Sequence, residues 1–114
     1  MLVENKILPK EISNLYDDLI DNCYQKISSK EKKIIYQSLV IAYNGHDGQI
    51  RKSGEPYIHH PIEVARIVAK DIGLDYVSIA SALLHDVVED TDITLEDLNE
   101  SVGEEISIIV DGLT

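Results

Sequence analysis

Between His85 and Thr91 the chain reads HDVVEDT, placing one histidine and three acids in seven positions. The adjacent His85 and Asp86 offer one nitrogen and one oxygen ligand, a mixture suited to Mn, Fe or Zn. Glu89 and Asp90 follow closely. On a helical wheel with His85 at zero and about 100° per residue, Glu89 falls near ~40°, Asp86 near ~100° and Asp90 near ~140°. Val77, Ala80, Leu83, Leu84, Val87 and Val88 fill the range of about 160° to 300°. One stripe is therefore acid and imidazole, and the opposite stripe is apolar. A solvated polar face is the ordinary meaning of such a stripe. Here, however, three acids in a last helical turn oppose the helix dipole, at a cost of a few tenths of a kcal/mol each. They also repel one another at i,i+3 and i,i+4 spacing. A bound divalent cation removes both penalties.

Two neighbouring ligands are too few for a metal site, so a third must come from elsewhere. His59 and His60 stand directly before Pro61, where the stiff chain can hold an imidazole in place. Spacing alone leaves both open. Upstream, Arg51-Lys52-Ser53-Gly54 includes the only adjacent basic pair outside the predicted second helix. Alone it reads as a charged turn; beside a metal cluster, it reads as a phosphate-binding loop. Metal, acids and a cationic loop together point to metal-assisted phosphoester hydrolysis, in which the ion lowers the pKa of water and the cations hold phosphates.

The rest of the sequence supplies helices to position these groups. Ile12, Leu15, Tyr16, Leu19, Ile20, Cys23 and Ile27 recur at three- and four-residue steps and predict an amphipathic first helix. Ser28 with Glu31 is a capping-box signature, predicting a second helix from there to about Tyr43. The stretch NGHDGQIRKSGEPYIHHP, with three glycines and two prolines, predicts a long loop. Pro61 suits the first position of a third helix that carries Ile62, Ala65 and Ala69 inward. A fourth helix is expected over residues 75–89, Thr94 with Asp97 caps a fifth, and EEISIIVDGL predicts a sixth. Nothing alternates with period two for long enough to be a strand, so the expected class is all-α. The apolar run Ile106 to Val110 lies almost at the last residue, so residues 1–114 are expected to form the N-terminal part of a single domain, cut before its end.

Composition narrows the function classes. A chain of 114 residues suits at most one domain. Phe and Trp are absent, so aliphatic residues and six tyrosines must fill the core. The single cysteine, Cys23, precludes an internal disulfide and fits a reducing compartment. The longest uncharged apolar stretch, Tyr76 to Leu84, falls far short of the ~20 residues that span a bilayer. No signal peptide is evident. The expectation is a soluble cytoplasmic protein with no membrane partner. A net charge of −11 argues against direct nucleic-acid binding. All ten Lys and Arg lie at or before Lys70, and the 44 residues beyond carry twelve acids and no base.

Three blocks in order, GHDGQIRKSGEPYIHHPIEVARIVA, SALLHDVVEDT and VDGLT, resemble the amino-terminal HD hydrolase domain of the RelA/SpoT family, which makes and degrades the alarmone (p)ppGpp. The resemblance is strong over residues 40–114 and covers the first forty only as helices of suitable length. It implies an all-α HD fold and removal of the 3′-pyrophosphate of (p)ppGpp, giving GDP or GTP, with Mn²⁺ as cofactor. It implies that His60, rather than His59, joins His85 and Asp86 as metal ligands. Glu89 and Asp90 match the acidic pair acting on the attacking water, and Arg51, Lys52 and Ser53 match the nucleotide-holding loop, with Arg51 against guanine. His46 matches a position taken as structural. The family's fourth ligand, an aspartate on a later helix, is expected beyond residue 114, and the resemblance lends no support to Asp111 in its place. Gly45 stands where the family usually has alanine, a change expected to matter little. A parent protein that associates with ribosomes is also implied.

The intact HD...ED pattern makes the parent protein an expected hydrolase. Residues 1–114 alone are expected to bind Mn²⁺ weakly, to turn over slowly and, through exposed apolar surface near Ile106 to Leu113, to self-associate. Two alternatives stand beside this reading: a stand-alone small alarmone hydrolase, and a regulatory HD module without turnover. Glu89 and Asp90 speak against the second.

Overall fold

Local capping chemistry starts the helices. The Ser28 hydroxyl accepts from the Glu31 N–H at 3.2 Å, and the Glu31 carboxylate accepts from the Ser28 N–H at 2.9 Å. Thr94 and Asp97 repeat this reciprocal pair at 3.1 and 3.0 Å, and the Asp75 carboxylate accepts from the Ser78 N–H at 3.2 Å. Each cap satisfies donors that the first helical turn leaves without partners.

The computed structural model describes residues 8–113; residues 1–7 and Thr114 lie outside it. Among the described residues the fold is all-α, as expected: α1 (Lys10–Asp21), α2 (Ser29–Gly45), α3 (His59–Arg66), α4 (Tyr76–Leu84), α5 (Val87–Asp90), α6 (Leu95–Val102) and α7 (Glu104–Leu113). A π-helical turn, Ile67–Ile72, continues α3. The only strand-like pairing described is an isolated antiparallel bridge between Ile50 and Pro56.

Several elements differ from the sequence expectation. The apolar rhythm continues to Ile27, whereas α1 stops at Asp21, where the Asn22 side chain donates back to the Asp18 carbonyl at 2.8 Å. Cys23 and Ile27 still pack against the core from the following connection. Pro61 is the third residue of α3 rather than the first, still within the opening turn, where a missing N–H costs no intrahelical bond. The π-helical turn ends at Gly73, whose φ of +79° lets its own N–H and that of Leu74 both reach the Val68 carbonyl at 3.0 Å. Finally, the single helix expected over residues 75–89 is two helices, broken at His85 and Asp86.

The core is organised around α4, which packs against α2, α3 and α7. Val77 and all residues from Ile79 to Leu84 are buried, together with Ile35 and Leu39 of α2, Ile62 and Ala65 of α3, and Ile106 and Val110 of α7. Each large aliphatic side chain so buried contributes about 1.5–3 kcal/mol. The end of α4, where the ionisable cluster begins, is thereby anchored to the best-packed part of the molecule. Around the C-terminal helix, Ile108 and Leu113 stay about 60% exposed. Among the described residues, no helix is long and apolar enough to cross a membrane.

Candidate metal centre

The break after α4 is a tight local event. His85 keeps helical angles, but Asp86 relaxes to φ −100° and ψ −4° before α5 begins. Val87 is fully buried, so the chain re-enters the core at once and leaves His85 and Asp86 at the edge of solvent. Nδ1 of His85 lies 2.7 Å from the Ala82 carbonyl. A carbonyl can only accept, so Nδ1 carries the proton and Nε2 presents its lone pair outward.

His60, at the start of α3, brings its ring to 5.6 Å from that of His85. Nε2 of His85 and Nε2 of His60 lie 3.0 and 4.0 Å from Oδ2 of Asp86. One ligand atom from each of His60, His85 and Asp86 falls within 4.8 Å of the others, a grouping that could hold a metal ion. The donor set fits a divalent transition metal: two imidazole nitrogens and one carboxylate oxygen, partly open to solvent, with at least one ring already oriented by its other nitrogen. The α4 cap therefore joins two segments 25 residues apart in sequence. The neighbouring His59 lies elsewhere, with Nε2 3.6 Å from Oε1 of Glu11. Asp111 is not part of the grouping.

Tyr57 is a member of this site that sequence reasoning passed over. Its hydroxyl donates to Oδ2 of Asp86, and its ring lies 5.7 Å from His60 and 4.6 Å from the buried His46. Burial, and then the bond to Asp86, push the Tyr57 hydroxyl well above the ordinary phenol range. The charges of Asp86 and Asp90 add to the shift, and Arg51 opposes it. The hydroxyl therefore remains a donor at neutral pH. Its position three residues before His60 was the one available signal.

The remaining sequence candidates lie on α5 and on the segment that precedes Tyr57. Glu89 and Asp90 sit on α5, exposed, and neither carboxylate makes a hydrogen bond or ion pair among the described residues. Arg51, Lys52 and Ser53 form the exposed tip of a small hairpin. The Ile50–Pro56 bridge closes it, the Arg51 N–H donates to the Glu55 carbonyl at 2.9 Å, and Gly54 turns it at φ +89°. The Arg51 guanidinium has one weak partner, Glu55 at 3.7 Å. At Gly45 an alanine Cβ would lie 3.0 Å from Cδ1 of Ile93 and 3.2 Å from Cγ2 of Thr91, so these side-chain ends would have to give by a few tenths of an ångström.

An all-α frame presenting a His–Asp step at a helix break, with a second histidine brought beside it, defines a class. Residues 38–114 match the HD domain family model, and the chain belongs to that family. Within it, the chain is 44% identical over 100 residues to a guanosine-3′,5′-bis(diphosphate) 3′-pyrophosphohydrolase of Vibrio cholerae, covering 88% of this chain and 14% of that protein. It is 38% identical over 100 residues to the bifunctional (p)ppGpp synthase/hydrolase SpoT of Escherichia coli, covering 88% and 14%. A solved structure described as a metazoan ortholog of SpoT that hydrolyses ppGpp superposes with a TM-score of 0.70 at 31% identity, over 79% of this chain and 50% of that one. The chain spans only 10–15% of the length of the curated relatives it matches.

Proposed function

We propose that this chain carries the hydrolase site of a cytoplasmic enzyme that removes the 3′-pyrophosphate from (p)ppGpp, using Mn²⁺ held by His60, His85 and Asp86. The observation that carries this reading is the convergence on Tyr57. Its hydroxyl bonds Asp86 of the cluster, and its N–H bonds the carbonyl of Gln49, whose amide reaches the Asp90 carbonyl and which stands two residues before Arg51. Ligands, acid pair and cationic hairpin thus share one neighbourhood, the arrangement needed to attack a phosphorus atom while holding the rest of a nucleotide. The named activities of the relatives support the same substrate.

In this reading His60, His85 and Asp86 would hold a divalent ion whose Lewis acidity would lower the pKa of the attacking water toward neutrality. Glu89 and Asp90, unencumbered by other partners, take the proton from the attacking water and orient it. Arg51 packs against guanine, and Lys52 and Ser53 hold phosphate oxygens through charge-assisted and hydroxyl hydrogen bonds. Tyr57 keeps Asp86 aimed at the cluster. The exposed Ile108 and Leu113 give this stretch a tendency to self-associate.

The test is pyrophosphate release from (p)ppGpp by the whole protein. Turnover should require a divalent ion, stop on chelation and return with Mn²⁺, while His85→Ala should weaken Mn²⁺ binding by more than about 100-fold. An active wild type whose His85→Ala variant still binds Mn²⁺ normally would remove the cluster from the mechanism. No turnover with any of Mn²⁺, Fe²⁺ or Zn²⁺ would leave a non-catalytic HD module as the better description.

A further inference from the structure

One uncharged side chain beside the site engages both ends of its amide and both of its backbone groups. The Gln49 N–H donates to the His46 carbonyl at 3.0 Å, and the Gln49 carbonyl accepts from the Tyr57 N–H at 2.9 Å. Its Nε2 donates to the Asp90 carbonyl at 2.9 Å, and its Oε1 lies 2.9 Å from Nδ1 of His46. The Asp90 carbonyl can only accept, so the amide nitrogen must face it. Oε1 is then left to accept from Nδ1–H of His46, which turns the bare Nε2 into the protein, where it meets no partner.

Gln49 therefore ties together three segments: the end of α2, the strand-like stretch leading to His60, and the last residue of α5. The tie matters most for α5. That helix is four residues long, and the chain turns extended at Thr91 directly after it. The Asp90 carbonyl is one of the end carbonyls a helix cannot satisfy internally. Val87 is buried and Val88 and Ile93 pack against the core, while the Thr91 hydroxyl bonds the Val87 carbonyl at 2.5 Å within the turn; the Gln49 amide is the side-chain hydrogen bond that ties the end of this turn to the segment leading to His60.

We propose that Gln49 is a positioning residue that sets the Glu89–Asp90 turn against the metal cluster, so that the acid pair meets the attacking water at the correct angle. This rests on the hydrolase reading above. Gln49 itself touches neither substrate nor metal.

The deciding substitution is Gln49→Glu in the whole protein. It keeps the acceptor for His46, deletes the donor to Asp90 and sets oxygen against oxygen. The expected result is a kcat for (p)ppGpp lower by about 10- to 100-fold, the cost of misplacing a reacting group, while KM and Mn²⁺ affinity hold. Amide hydrogen exchange should quicken at Asp90 and Thr91 and stay slow at Ile35 and Leu39 of α2. Gln49→Met, which removes both amide functions without adding charge, should show the same pattern and serves if the glutamate variant does not fold. Unchanged kcat overturns the proposal, as does a loss confined to KM or Mn²⁺ affinity, which would move Gln49 to the hairpin or the cluster. If the wild type does not hydrolyse (p)ppGpp, the hydrolase reading falls instead. Exchange at Asp90 and Thr91 then decides whether Gln49 holds the turn.

Discussion

Two regions deliver the three cluster residues, and they are held by different forces. α4 brings His85 and Asp86 to its end through burial: its apolar side chains are enclosed by α2, α3 and α7, and many small contacts share the load. His60 rides on α3, whose Ile62 and Ala65 are buried, but the segment from His46 to Tyr57 ahead of it is fixed by discrete hydrogen bonds among Gln49, His46, Tyr57 and Asp86, each with one donor and one acceptor. Burial is redundant and indifferent to chemistry, while a hydrogen-bond chain is neither. A change in α4 should therefore weaken fold and site together, whereas a change at the hairpin tip or at the exposed Glu89 and Asp90 of α5 should alter function and leave the fold intact.

The hardest blow to this contrast is aimed at the core. Leu83→Ala, at a fully buried position, should cost about 2–5 kcal/mol by urea denaturation, with Mn²⁺ affinity falling in parallel. If stability held, burial would not be what anchors the cluster. Glu89→Gln comes next: kcat should fall by ~10²-fold because the amide cannot take a proton, with unfolding midpoint and Mn²⁺ affinity unchanged. A shifted midpoint in that variant would show that α5 belongs with the core and not with the loop. Arg51→Ala should raise KM by an amount equivalent to roughly 1–3 kcal/mol, again without a stability cost, since its partner Glu55 is exposed and distant. Loss of Mn²⁺ binding in place of a KM effect would make the hairpin structural. Smallest of the four, Thr94→Ala should cost about 1 kcal/mol by loss of the α6 cap and leave turnover per folded molecule untouched.

What the sequence revealed and what it concealed follow the same division. Both capping boxes were legible because donor and acceptor lie three residues apart. The all-α class and the inward faces of α1, α3 and α4 were legible from apolar spacing. The break at His85 was not, because Val87 and Val88 continue the apolar rhythm of α4 and the kink changes only which way the polar residues point. His85 and Asp86 could be picked out by type and His60 only through the family resemblance, which chose it over His59; their convergence needed the fold. Tyr57 and Gln49 were passed over because the partners that give them meaning, Asp86 and the Asp90 carbonyl, stand 29 and 41 residues away. Nothing in an exposed-looking GQ or PY dipeptide encodes such a contact.

The bond between Tyr57 and Asp86 also gives this molecule an optical signature. With six tyrosines and no tryptophan, its near-ultraviolet spectrum belongs to phenol rings alone. Among the described residues, Tyr57 is the one whose hydroxyl is bound to a carboxylate, an acceptor that red-shifts phenol absorption and quenches its emission. If the cluster holds a divalent ion as proposed, a diamagnetic ion such as Zn²⁺ bound at Asp86 would alter that bond, and a difference spectrum would report occupancy of the cluster without label or substrate. Tyr57→Phe silences the signal and leaves the other five chromophores as an internal baseline.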